Sequence, residues 1–184
     1  MMTAACFYGD LDGVQRNAEL WRQLSNSLEV KTFFTIFSDY CPWVHSQLPR
    51  DARVHYTQPT FWRDVWHCRT LCVEEGALNL PLTWYARQRG QNICMDQVRS
   101  SNMAFARVWL ADLSVSAHLP NNRSQWDPTA LVFTQPPGYM GPNDSCIWGS
   151  MPNIMKYVRA RSHHDHVLTT LQTTQIHYEF KEAS

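Results

Sequence analysis

The stretch Lys31-Thr-Phe-Phe-Thr-Ile-Phe-Ser-Asp-Tyr-Cys-Pro-Trp-Val44 constrains the fold more than any other part of this 184-residue chain. Val30, Phe33, Phe34, Ile36 and Phe37 make the short run of β-branched and aromatic side chains expected of a buried central strand. Ser38 to Tyr40 end it with turn-prone residues, and Pro42 stands where a helix begins. Proline suits the first helical position because its fixed φ matches the helix and its missing N–H would have had no partner there. A strand running straight into a helix implies a sheet with helices packed against it. Cys41 would cap that helix, where unpaired backbone N–H groups and the helix dipole favour thiolate over thiol. A nucleophilic sulfur is one reading, and a buried structural cysteine is the other.

Similar units lie on both sides. Residues 4–9 form a short apolar strand, Asp12 followed by Gln15 resembles an acidic helix cap, and Val14, Ala18, Trp21, Leu24 and Leu28 recur on one face of a helix. Residues 45–60, bracketed by Pro49 and Pro59, form a loop. Phe61, Val65, Cys68 and Cys72, then Leu78, Leu82 and Tyr85, have helical spacing, with Gly76 and Gly90 as stops. Phe105 to Asp112 is a second buried strand and Ala130 to Thr134 a third. Ser145 to Trp148 would pair antiparallel with the latter, and Ile154, Tyr157 and Val158 mark a closing helix. The chain therefore makes one domain over 1–161, followed by a polar tail, 162–184.

Composition narrows the classes of partner. Sixteen basic and sixteen acidic side chains leave a formal net charge of zero, so no electrostatic footprint for nucleic acid or an anionic membrane exists. The amino terminus lacks a basic segment followed by a long apolar one, and no apolar run approaches the length of a membrane span, so a cytoplasmic protein is expected. Six scattered cysteines in a chain of this length are expected to be free thiols. His67, Cys68 and Cys72, and likewise His163, His164, Asp165 and His166, lack the second half of a zinc site, so no metal or other cofactor is expected. Trp62, Trp66, Trp84 and Trp109 could line a pocket, although aromatics at such spacings more often fill a core.

The order strand, helix, strand ending in Cys-Pro, helix, strand, Pro-Thr strand, hairpin partner and final helix resembles the thioredoxin-like superfamily. Phe37-Ser-Asp-Tyr-Cys41-Pro-Trp-Val44 is similar to its active-site turn, Asp127-Pro128-Thr129-Ala-Leu-Val-Phe133 to the strand opened by a cis-proline, and Cys146-Ile-Trp-Gly149 to the closing edge. The resemblance implies an α/β fold with a central mixed sheet of four or five strands flanked by helices, and a helical insertion at about 55–100 after the active-site turn. It implies Cys41 as nucleophile, with Trp43, Asp127 and Pro128 beside a protein or small-molecule thiol or disulfide. His45, one helical turn below Cys41, would modulate the thiol. Val44 stands where the resolving cysteine belongs, so the ordinary dithiol cycle is excluded. A single-thiol disulfide exchange or a peroxide reduction through a sulfenic acid remains, with Cys68, Cys72 or Cys146 as resolver. A binding module that keeps the fold without the chemistry is a further alternative.

Phe7-Tyr8-Gly9-Asp10-Leu11-Asp12-Gly13-Val14 also resembles the first motif of the haloacid dehalogenase superfamily. There Asp10 would attack phosphorus, Asp12 would protonate the leaving oxygen and Mg²⁺ would bridge carboxylate and phosphate. The pattern is incomplete, because Asp112 is followed by Leu113 and residues 90–111 contain no lysine, only Arg99 and Arg107. The plain reading of Asp10 and Asp12 is a turn and a helix cap worth about 1 kcal/mol.

Overall fold

A computed structural model describes residues 2–57, 79–113, 130–133, 144–161 and 175–178; for 79–86, 161 and 175–178 it gives the backbone. The elements in chain order are β1 (Thr3–Gly9), α1 (Leu11–Arg16), α2 (Ala18–Ser25), β2 (Val30–Ile36), α3 (Pro42–Gln47) and β3 (Arg53–Tyr56). They are followed by α4 (Asn79–Ser100), β4 (Arg107–Asp112), β5 (Ala130–Phe133), β6 (Cys146–Ser150), α5 (Met151–Arg161) and β7 (Gln175–Tyr178). The strands form one mixed sheet in the order β3-β2-β1-β4-β6-β5-β7, seven strands rather than four or five. β3, β2, β1 and β4 run parallel, β6 is antiparallel to both β4 and β5, and β7 is parallel to β5.

Alternation along the strands sends side chains to two separate cores. Ala4, Cys6, Tyr8, Phe33, Val108, Leu110, Leu131, Phe133 and Ile147 face Cys94, Met95 and Val98 of α4 and Ile154, Tyr157 and Val158 of α5. On the other face Ala5, Phe7, Phe34, Ile36, Trp109, Ala111 and Trp148 meet Val14, Leu20, Trp21 and Leu24 of α1 and α2, with Val44 of α3. Strands covered on both faces have no polar side to show, which is why β1, β2 and β4 are near-continuous apolar runs. Trp109 belongs to this core: its ring meets Phe7 edge-on at 5.1 Å and its indole N–H donates to the Cys146 sulfur at 3.2 Å.

Several local expectations are corrected. The helix from Val14 to Leu28 is two short helices, because Asn17 leaves the helical region at φ −101° and ψ 23°. Its side-chain amide donates to the Gly13 carbonyl, and the Trp21 indole takes the Val14 carbonyl at 2.7 Å. The second helix stops at Ser25, so Leu28 is left 91% exposed in the turn before β2. The cap of α1 is Asp10, not Asp12: its carboxylate accepts from Gly13 N at 3.1 Å. Gly90 does not stop a helix. It lies inside α4 because a Cβ there would come within 2.5 Å of the Tyr8 ring. The loop between Pro49 and Pro59 contains the edge strand β3, whose alternately exposed Arg53 and His55 hide it among polar residues. The tail contributes β7, in which Ile176 and Tyr178 alternate with Gln175 and His177.

The cap of α3 is as the sequence predicts. Cys41 is the N-cap, with extended backbone at φ −133°, and Pro42 opens the helix. α4 packs against β1 and β2 as part of the core. Among the described residues no helix is long and apolar enough to cross a membrane.

Candidate functional site

The sheet reverses its order at β1: the chain steps from β1 outward to β2 and β3, then returns to place β4 on the other side of β1. At such a point the connections leave the strand ends in opposite directions, here at the carboxyl ends of β1 and β4. Ligands of open α/β sheets bind there. Gly9 ends β1 at φ +152°, and a Cβ on it would come within 2.8 Å of the Leu113 Cβ. Gly13 meets the same side chain at still closer range. These two glycines let the chain leaving β4 fold down onto the start of α1, where Leu113 N donates to the Tyr8 carbonyl at 2.8 Å.

Asp112, the last residue of β4, is the register partner of Tyr8. Arg87 of α4 donates through Nε to Asp112 Oδ2 at 3.1 Å and through Nη1 to Asp144 Oδ1 at 3.5 Å. The Asp112 side chain is 12% exposed and that of Asp144 only 4%. Tyr157 of α5 donates its hydroxyl to Asp144 Oδ2 at 3.0 Å. Gln91, fully buried, donates to the Tyr8 hydroxyl at 3.2 Å and to the Asp144 carbonyl at 3.5 Å. Burial first, and the neighbouring Tyr8 next, push the Tyr157 hydroxyl far above its ordinary value, so it stays a donor across the physiological range. Two buried carboxylates thus share one guanidinium.

Asp10 and Asp12 are exposed on the same edge, just past the end of β1. Asp10 follows β1, which pairs with β4, and one of its oxygens is engaged as the cap of α1. Among the described residues no group of three or more metal-ligating side chains converges.

Cys41 lies on this edge too, beyond the end of β2, and it is partly exposed whereas Cys6, Cys94 and Cys146 are buried. Tyr56 at the end of β3 donates to the Cys41 carbonyl at 3.1 Å, and its oxygen is 3.0 Å from His45 Nε2. The phenol has one proton; once that is given to the carbonyl, the oxygen accepts from His45. His45 is thereby tied to Tyr56, and Tyr40 completes the cluster with ring centroids 5.6 Å from His45 and 5.4 Å from Tyr56. Burial raises the Tyr56 hydroxyl above its ordinary value; the bond at the Cys41 backbone opposes this, and charge at Cys41 and Tyr40 adds to it. Trp43 projects from α3, 40% exposed.

The thioredoxin-like expectation also needs Cys41 beside the strand that Pro128 opens, and the described strands do not provide this. β5 runs parallel to β2, so its first residue, Ala130, lies level with Arg107 and Thr3 at the amino edge, opposite Cys41. Four strand spacings separate β2 from β5, about 19 Å across the sheet, and the length of β2 adds about 20 Å along it. Asp127 and Pro128 themselves lie outside the described residues, as do Cys68, Cys72 and the histidines of 163–166. Arg87, Gln91, Asp144, Tyr157 and Tyr56 carry no motif that sequence reasoning could have used. The one signal available was Asp112 ending an apolar strand.

No family model matches the chain, and no curated protein does. Among solved structures it is similar to the glycosyltransferase GlyE of Streptococcus pneumoniae TIGR4, at 12% identity and a TM-score of 0.46 over 99% of this chain. The apo form of the same glycosyltransferase is similar at 10% identity and a TM-score of 0.46 over 96%. The chain spans 45% of the length of each of those proteins, and a likeness at that level says nothing of its chemistry.

Proposed function

We propose that this protein binds a small, polar, hydroxyl-bearing molecule at the carboxyl ends of β1 and β4. The observation that carries this reading is the Asp112 carboxylate, 12% exposed, at the point where the strand order reverses, held in place by Arg87. A charged pair so little exposed is costly to desolvate and is weak evidence for a purely stabilising role, which favours a site. With the Arg87 guanidinium held by two carboxylates, the charged groups at this edge of the sheet, Asp10, Asp12 and Asp112, are acceptors. Hydroxyl groups of the ligand supply the donors, and a phosphorylated ligand would need a divalent cation to approach the exposed Asp10 and Asp12.

The test is a thermal-shift panel of sugars, sugar phosphates and nucleotides, each with and without Mg²⁺. A true ligand at a hundred times its dissociation constant adds about 2.7 kcal/mol, which for a domain of this size raises Tm by roughly 5–10 °C. Asp112→Asn should remove the shift while circular dichroism reports an unchanged fold. A flat panel, or a shift that Asp112→Asn leaves intact, sinks the reading. Turnover of a phosphate ester that needs Mg²⁺ and fails in Asp10→Asn would instead favour hydrolysis through Asp10 and Asp12.

A second reading, thiol-disulfide exchange at Cys41 with a thiol or disulfide partner, is favoured by one observation: of the four described cysteines it alone reaches the surface, at a helix start. Cys41→Ser should abolish any exchange with a small disulfide under native conditions. Equal rates in the variant and the parent would exclude that reading.

A further inference from the structure

One hydroxyl at the edge of the sheet stands between two partners and has a single proton for both. Tyr56, the last residue of β3, has its oxygen 3.1 Å from the Cys41 carbonyl and 3.0 Å from His45 Nε2. The Cys41 carbonyl also accepts the Val44 N–H at 3.1 Å, in the first turn of α3. Because the two distances from Tyr56 are nearly equal, turning the hydroxyl hydrogen about the phenol C–O bond is enough to pass it from one partner to the other. Tyr40 packs on both rings, with centroids 5.6 Å from His45 and 5.4 Å from Tyr56, so neither ring has to move.

We propose that His45, Tyr56 and the Cys41 carbonyl form a proton-controlled latch between β3 and the start of α3, closed when His45 is an imidazolium and released when it is neutral. An imidazolium carries N–H on both nitrogens, so Nε2 donates to the Tyr56 oxygen and the phenol proton goes to the Cys41 carbonyl. A neutral imidazole can hold its proton on Nδ1 and offer Nε2 as an acceptor. The phenol proton then turns to His45, and the Cys41 carbonyl is left with Val44.

The phenol keeps its proton through this change, since burial raises the Tyr56 hydroxyl above its ordinary value. The titratable groups facing His45 are Tyr56 of β3 and Tyr40 of the segment after β2, with Cys41 at the other end of the latch. α1 also packs against α3 and carries Asp12 and Arg16, but among the described residues neither bonds or pairs with His45. β3 is the outermost strand on its side of the sheet, so the latch ties down an edge. Its release loosens the turn that carries Cys41, whether the protein binds a polar ligand or exchanges disulfides.

The experiment follows the isotope-labelled full chain by NMR of the imidazole nitrogens and by amide hydrogen exchange, from about pH 5 to 8. As His45 titrates, its ring should lose the Nε2 proton and keep the one on Nδ1, and the Val44 amide should become several-fold less protected relative to an unstructured chain at the same pH. Tyr56→Phe, which keeps the ring, should hold Val44 at the lower protection throughout and return the proton of the neutral ring to Nε2, the nitrogen a free imidazole side chain favours. His45→Phe leaves the phenol only the Cys41 carbonyl, so Val44 should stay protected across the range. A neutral His45 that keeps its proton on Nε2 would overturn the proposal. So would Val44 protection that follows the same course with pH in the parent and in Tyr56→Phe.

Discussion

Gly90 stands in the middle of a helix where glycine is a poor choice, and the Tyr8 ring explains it. A methyl group there would press on Tyr8 Cδ2, Cγ and Cβ at 2.5–2.7 Å, and Tyr8 is itself 1% exposed and cannot swing away. Alanine in place of glycine gains up to about 1 kcal/mol of helix propensity, whereas overpacking costs about 1–3 kcal/mol. Gly90→Ala is therefore expected to destabilise by up to about 3 kcal/mol in urea unfolding; a more stable variant would mean that Tyr8 moves freely. Just past the end of β1, Asp10→Ala removes the carboxylate that caps α1 and should cost about 1 kcal/mol. Asp10→Asn, which keeps the accepting oxygen, should recover most of that loss in the same measurement, and equal losses in the two variants would refute the cap.

At the scale of elements, α5 is joined to the turn before β6 by Tyr157 and Asp144. Tyr157→Phe removes a hydrogen bond to a carboxylate whose side chain is 4% exposed, so a loss of about 1–3 kcal/mol is expected; an unchanged unfolding midpoint would show that this bond adds nothing to stability. How far the elements were legible in the sequence follows from what each strand shows to solvent. β1, β2 and β4 are buried on both faces and announce themselves as apolar runs. The edge strand β3 could not do so, because Arg53 and His55 look outward. The break at Asn17 was hidden for a different reason: spacing counts apolar positions, whereas the helix ends through a side-chain amide taking a backbone carbonyl. The site was legible only at Asp112, which ends an apolar strand. Arg87 and Asp144 reach it through tertiary contacts across long stretches of chain, and no local pattern encodes such a meeting.

Over the whole molecule, buried groups that must stay protonated set the alkaline limit of stability. Cys6 and Tyr157 both titrate above their ordinary values of 9.0 and 10.0. A raised folded value means that the unfolded chain gives up its proton first, so this contribution is complete below pH 9 and is lost progressively as pH climbs above that. Urea midpoints measured from pH 7 to 11 should be level at first and then fall. Tyr157→Phe should flatten the part of the fall above pH 10, and an identical slope in the variant would assign the alkaline loss to other groups. Two cores on opposite faces of one sheet make this a shared fate, since β1 and β4 contribute to both.

The central position of β1 has one more consequence, which concerns the order of synthesis. Thr3 finds Val30 soon after both have been made, but its other neighbour, Arg107, lies far later in the sequence and arrives much later. Until then one side of the strand Thr-Ala-Ala-Cys-Phe-Tyr-Gly presents unpaired backbone amides and carbonyls beside almost wholly apolar side chains. A nascent chain in that condition is a template for pairing with its neighbours, and its safety on the ribosome depends on how quickly β4 arrives to close the gap.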